Sequence, residues 1–246
     1  MQTVVATMDN GHTVVHWSVT RRLAAEVLGT AFLLAVVIGS GQMGEDLSNG
    51  IAGLGLLANA LATGAILAVL ILMLGPVSGA HFNPAVTLSQ WRLGTIPGRL
   101  ALAYVAAQVV GGLVGAAVAQ LMFDLPVLAA SQVARSGSGL WLAEFVATFG
   151  LVATILGCIR FRPDAVAYAV GLYITAGYWF TASTSFANPA VTLARTLTTT
   201  GAGIRPEHAP AFMFVQVVAA LSATIVCRWL FALQSPGGRA SADVLD

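Results

Sequence analysis

Two carboxylates, Glu26 and Glu144, stand inside long apolar runs, and the hexapeptide Asn-Pro-Ala-Val-Thr-Leu occurs twice, at Asn83–Leu88 and Asn188–Leu193. Each of these features has a definite physical chemistry. An ionisable side chain in an apolar span is expensive and needs a partner or a task. Asn is a preferred helix N-cap, because its side-chain oxygen accepts a hydrogen bond from a free amide of the first turn. Pro suits the first helical position, where it has no needed amide to lose. Asn-Pro-Ala is therefore a helix start written twice. No nucleophile beside a base, no paired general acid and base and no nucleotide loop stands out, so an enzyme is not expected. Cys158 and Cys227 both lie in apolar runs and read as small buried hydrophobes. They give neither a metal-ligand spacing nor a disulfide framework, and no metal or cofactor is implied.

The elements that position these residues must be membrane elements. Of 246 residues, 57% are hydrophobic and only 9% charged, against about a quarter charged in soluble domains. So little charge cannot cover a globule in water, and the lipid bilayer is the solvent for most of the chain. All 11 basic residues are Arg, and the formal net charge of +1 argues against nucleic acid as a partner. The first twenty residues hold Asp9, His12 and His16 without an apolar core, which is unlike a cleavable signal peptide. Residues 1–20 read as a cytoplasmic tail ending at Arg21 and Arg22, and 234–246 as a second cytoplasmic tail.

Six stretches approach the about 20 residues that span a bilayer: 22–41, 51–75, 99–121, 139–160, 165–182 and 210–233. Two further apolar pieces, starting at Asn83 and Asn188, are too short to cross and read as re-entrant segments. With the N-terminus inside, Arg21, Arg22, Arg92, Arg99, Arg160, Arg162, Arg228 and Arg239 fall on the inner side, and Arg135, Arg195 and Arg205 on the outer. This excess predicts both termini in the cytoplasm of a multi-pass protein of the cell (inner) membrane.

The membrane unit, a single domain over 21–233, divides into repeats at about 21–121 and 139–233. AEVLGTAF at Ala25 matches AEFVATFG at Ala143, pairing Glu26 with Glu144; AYVAAQVVGGLVGA at Ala103 matches AFMFVQVVAALSAT at Ala211, pairing Gln108 with Gln216. Three spans per half make the second half inverted relative to the first, a plan in which broken helices meet near the midplane. Two helix N-termini then converge there, and their dipoles oppose a cation. The amides of Asn83 and Asn188 are expected to donate into the gap, which suits a small uncharged solute. Glu26 and Glu144 are expected to accept backbone amides of the re-entrant loops. The glycines Gly111, Gly115, Gly171 and Gly177 are expected to permit close helix packing.

SGAHFNPAVTL at Ser78–Leu88, the second Asn-Pro-Ala, both Glu motifs and AQVVG together resemble the aquaporin or major intrinsic protein family. The resemblance covers about Arg21 to Trp229. It implies an all-α membrane protein with the hourglass fold of six transmembrane helices and two re-entrant half-helices, a pore in each monomer and a homotetramer. It implies no cofactor and no reaction. It places the pore motifs at Asn83, Pro84, Ala85, Asn188, Pro189 and Ala190, and loop support at Glu26, Glu144 and His81. An outer selectivity filter falls on Thr63, Ser185, Val191 and a fifth-helix residue, either Ala176 or Tyr178, with Tyr178 favoured.

Val191 departs from the family pattern, where most members carry Arg directly after the second Asn-Pro-Ala. Arg195 lies one turn on, about 6 Å further out, where it lines the vestibule or caps the half-helix. A filter without the fixed charge and without the aromatic residue usual on the second helix predicts a wide opening. The chain is similar to the aquaglyceroporin-like channels associated with bacterial arsenic resistance, which implies glycerol-type solutes, arsenite or methylated arsenicals, and water. A water-selective aquaporin is the nearest alternative. An ion-coupled secondary transporter or a non-conducting membrane scaffold would be other classes.

Overall fold

The structure is a computed structural model that describes residues 5–9 and 12–233. Residues 234–246, expected to be a tail, lie outside the described residues. Among the described residues, eight α-helices follow a short antiparallel hairpin, β1 (Val5–Asp9) and β2 (His12–His16), in which Val5 pairs with His16 and Asp9 with His12. The hairpin was not expected in an all-α chain, and it precedes the membrane helices. These are α1 (Val19–Leu47), α2 (Ala52–Ser78), α3 (Pro84–Arg92), α4 (Gly98–Met122), α5 (Ser138–Phe161), α6 (Val166–Phe180), α7 (Pro189–Ala194) and α8 (Ala209–Leu230). Two 3-10 turns, Pro163–Ala165 and Arg195–Leu197, precede α6 and extend α7.

Helices α1, α2, α4, α5 and α8 are long and apolar enough to cross a membrane. The fifth apolar stretch, expected over 165–182, gives α6 only 15 helical residues, about 22 Å. The helix stops because Thr181 turns extended and its hydroxyl bonds the Gly177 carbonyl at 2.7 Å. From there the chain turns inward as a loop. Helix α1 instead runs past its apolar stretch to Leu47, where Gln42 Nε2 donates to Asp46 Oδ1 at 2.8 Å. Apolar length reports the bilayer's thickness, whereas backbone bonding sets where a helix ends.

The repeat is visible in the packing. Helix α4 lies along α1 as α8 lies along α5, and α2 crosses α6 between the halves. Small residues allow these approaches. A Cβ on Gly171 would sit 2.5 Å from the Gly64 carbonyl oxygen, and one on Gly64 2.6 Å from that of Gly171. Gly111 and Gly115 face the Val27 and Ala31 carbonyls of α1, and Gly177 backs onto Ser185. The exterior is apolar: Leu102, Leu172, Phe214, Ile225 and Trp229 are exposed, as lipid requires. Glu26, Gln108, Glu144 and Gln216 are each fully buried. The fold thus places its charge inside, next to the two loops that need it.

Candidate functional site

The two Asn-Pro-Ala turns have nearly the same geometry. Asn83 is extended (φ −156°, ψ 119°) and its Oδ1 accepts the Ala85 amide at 2.8 Å. Asn188 (φ −157°, ψ 114°) accepts the Ala190 amide at 3.0 Å and the Val191 amide at 3.3 Å. Pro84 and Pro189 open α3 and α7, while Ala85 and Ala190 are buried at the junction. Beyond these caps the asparagines are crossed. Asn83 Nδ2 donates to the Ala187 carbonyl at 2.7 Å, and Asn188 Nδ2 donates to the Phe82 carbonyl at 2.8 Å. The expectation that both amides are wholly available to the gap is therefore corrected. Each has spent one hydrogen tying the opposite loop, leaving one per amide at the cavity both asparagines line.

The loops entering these turns are strained in the same way. Ala80 and Phe82 have positive φ (50° and 48°), as do Ser185 and Ala187 (53° and 47°), in each case three residues and one residue before the asparagine. Left-handed backbone is unfavourable for residues with a Cβ, so something must hold it. Glu26 does so in the first loop: Oε1 accepts the His81 amide at 3.0 Å and Ser78 Oγ at 2.6 Å, and Oε2 accepts the Phe82 amide at 2.7 Å. Glu144 accepts the Phe186 and Ala187 amides, both at 2.9 Å. His81 adds a ring contact, Nδ1 to Thr87 Oγ1 at 3.0 Å.

A second tier was legible in the sequence only as a repeat marker. Gln108 Nε2 donates to Glu26 Oε2 (2.8 Å) and Thr87 Oγ1 (2.9 Å), and Gln216 Nε2 donates to Glu144 Oε2 (2.6 Å) and Thr192 Oγ1 (2.9 Å). Each loop is thus tied to its own half-helix through a Glu–Gln–Thr set. Thr87 and Thr192 are the threonines of the repeated hexapeptide, which explains why it repeats beyond Asn-Pro-Ala. Arg22, Tyr104 and Ser78 form a further chain in the first half: Arg22 Nε donates to Tyr104 OH at 2.8 Å, which donates to the Ser78 carbonyl at 2.7 Å.

A cavity of about 510 Å³ runs past both asparagines, from Trp17 and Arg22 at one end to Arg195 at the other. One wall is apolar, carrying Leu67, Ile71, Leu151, Ile155, Val170 and Ile174. Thr63, Tyr178, Ser185 and Val191 all line it, brought together from α2, α6, the second loop and α7. Thr63 Oγ1 lies 3.2 Å from the Tyr178 hydroxyl, and Ser185 Oγ is buried with no hydrogen-bond partner among the described residues. Ala176 faces outward from α6 and is exposed. Val86 lines the cavity on one side of the asparagines as Val191 does on the other, and Gln90 and Arg195 line it one turn further along each half-helix.

Arg195 turns inward and is only 3% exposed. Its guanidinium lies 3.4 Å from the centroid of the Phe186 ring, and its Nε donates to the Ala202 carbonyl. A second arginine, placed on the outer side by the sequence and given no further task, joins it. Arg135 donates from Nε to the Gly203 carbonyl (2.8 Å) and from Nη2 to that of Gly201 (3.1 Å), 5.0 Å from the Phe186 centroid. Three consecutive carbonyls, 201–203, are thus held by two guanidinium groups. Burial lowers the pKa of Arg135, while Glu144 and Tyr178 pull it back up. An arginine stays protonated regardless. Among the described residues, neither arginine pairs with a carboxylate, and no cluster of His, Cys, Asp and Glu could hold a metal.

Inverted halves, two half-helices meeting at crossed asparagines and a cavity past them define a membrane channel of inverted-repeat design. The chain belongs to the major intrinsic protein family, whose model matches residues 13–162. It is 54% identical over 220 residues to the aquaglyceroporin AqpS of Rhizobium meliloti (strain 1021), covering 89% of this chain and 94% of that one. It is 36% identical over 167 residues to the aquaporin AqpM of Methanothermobacter thermautotrophicus, covering 57% of this chain and 65% of the relative. Among solved structures it is similar to the aquaglyceroporin from Plasmodium falciparum, with TM-score 0.67 at 22% identity, covering 87% of this chain and 96% of the other. That likeness is one of fold. The all-α expectation for the membrane domain and the exclusion of an enzyme agree with membership of this family.

Proposed function

We propose that the chain forms a passive pore for small uncharged solutes of glycerol type, that it also passes water, and that its physiological cargo is arsenite or methylated arsenicals. The observation that carries this reading is Val191. A valine lines the cavity where an arginine would stand, beside Thr63, Tyr178 and Ser185. The four side chains give a ring with hydroxyls on one part and methyls on another. Such a ring suits a solute that carries both C–H and O–H surface, or a neutral hydroxide such as As(OH)3, which can exchange water for the Ser185 and Tyr178 hydroxyls. The converging starts of α3 and α7 disfavour a cation at the midplane. The similarity to an aquaglyceroporin supports the size class. The arsenical cargo rests on the resemblance of the second motif to channels associated with arsenic resistance.

The filter assignment, Thr63, Tyr178, Ser185 and Val191, belongs to the same proposal, as do the pore role of the asparagine turns and the loop-support role of Glu26, Glu144 and His81. So do a homotetramer embedded in the cell membrane and cytoplasmic termini, supported by the arginine distribution and by the exposed apolar exterior. The Thr63–Tyr178 contact narrows one side of the ring, and it is the observation that favours the water-selective alternative. Stopped-flow swelling of proteoliposomes in glycerol, urea and water gradients, with arsenite and methylarsenite uptake, separates the two. Glycerol and arsenite both cross in the expected outcome, and Val191→Arg slows both more than water. Exclusion of glycerol and arsenite by the wild-type chain would refute the wide filter.

A further inference from the structure

We propose that Arg195 is the cation- and proton-excluding charge of this pore, supplied from one turn beyond the filter and held in place by Phe186, the 201–203 carbonyls and Arg135. The inference rests on the channel reading and deepens it by naming what replaces the charge that Val191 lacks.

The two halves show how the charge is placed. The hexapeptide is identical in both, so Val86 corresponds to Val191, and two positions beyond each Leu stand Gln90 and Arg195. Both line the cavity. Gln90 is neutral and its Oε1 accepts Thr95 Oγ1 at 2.8 Å. Arg195 brings a full charge to the corresponding place on the outer side. Side chains on a helix lean toward its N-terminus, so a long residue one turn on reaches back toward the filter. Arg195 does this and rests on Phe186, itself a cavity residue in the loop before Asn188.

The guanidinium also forms no ion pair among the described residues. Its observed partners are a carbonyl and an aromatic face, neither of which cancels its charge. Arg135 adds a second positive charge nearby while fixing the carbonyls on either side of the Ala202 acceptor. A staple needing only hydrogen bonds could be neutral; here Arg195 lines the cavity with Arg135 behind it, neither in an ion pair among the described residues. The buried Glu144 and the Glu45 carboxylate beside Gly201 offset part of their charge. Low-dielectric walls strengthen what remains. A unit charge about 6 Å from a monovalent cation, at an effective dielectric constant of about 20, changes the cation's occupancy about a hundredfold.

The test is proton and sodium leak, alongside glycerol swelling, in proteoliposomes of the full chain. Arg195→Gln is expected to raise proton and sodium leak about ten- to a hundredfold, and Arg195→Lys to leave exclusion in place. In the Arg195→Gln background, Val191→Arg is expected to restore exclusion, because the charge returns to the pore wall by another route. Arg135→Gln keeps Arg195 and is expected to leak to a smaller extent; it gives a second reading should Arg195→Gln fail to assemble. Wild-type levels of leak in both glutamine variants, with swelling retained, would overturn the proposal and leave Arg195 a loop staple. Absence of glycerol swelling in the wild type would instead refute the solute reading.

Discussion

At the scale of single residues, Glu144 shows why a carboxylate belongs in an apolar span. It accepts two consecutive backbone amides and one side-chain amide while fully buried. Without it the loop's left-handed residues lose their restraint and two amides lose their acceptor. An unsatisfied buried donor costs about 1–3 kcal/mol. Glu144→Ala is therefore expected to destabilise the fold by about 2–6 kcal/mol, the sum for two donors, read as a fall in the thermal midpoint of the detergent-solubilised protein. Glu144→Gln retains one acceptor oxygen and should fall between wild type and Ala. Equal midpoints for all three would show that the loop does not depend on the carboxylate. The partner residue class was legible, because an acid in an apolar run demands donors. Its exact donors were not, since they lie 42 and 43 residues away.

At the scale of elements, the crossing of α2 on α6 brings Thr63 and Tyr178 together at the cavity wall, the place of the proposed filter, because they ride on these two helices. Gly64 and Gly171 allow the approach. Gly171→Val forces the backbones apart or strains the new side chain, a cost of about 1–3 kcal/mol. It is expected to lower the thermal midpoint and to change the glycerol-to-water permeability ratio, since the cavity walls that carry the proposed filter move with the helices. Gly53, near the start of α2, has open space where a Cβ would stand, so Gly53→Val should alter neither. A Gly171→Val protein with wild-type stability and permeability ratio would refute this account. Helix boundaries follow the same logic of contact over pattern. The apolar run at 165–182 cannot show that the chain leaves the helix at Thr181 for the loop before Asn188, whereas the two Asn-Pro starts are visible at once because capping is local.

At the scale of the whole molecule, inverted halves joined through crossed asparagines leave one continuous cavity past a fixed centre. A rocking transporter would open one side at a time. Flux through this chain is expected to rise in proportion to the solute gradient, without saturation, and to be indifferent to collapsing sodium or proton gradients across the vesicle. Saturable uptake that requires an ion gradient would return the transporter class. The exposed apolar exterior and buried polar interior require this test to be made in lipid rather than in water.

The sequence by itself determined the lipid setting, the repeat and its inversion, the two helix starts, the need to partner Glu26 and Glu144, and the substitution at Val191. All of these are local or periodic: span length, cap chemistry and matching letters need no knowledge of distant neighbours. Only the tertiary structure decided that each asparagine binds the other loop's carbonyl, that Thr63 meets Tyr178 and that Ala176 faces outward. Only it showed Arg135 and Arg195 gathered at Phe186. Those contacts join residues from opposite halves or distant loops, and their geometry depends on how the halves rotate against each other. Local propensity does not encode that rotation; the packing of glycine-lined helices fixes it.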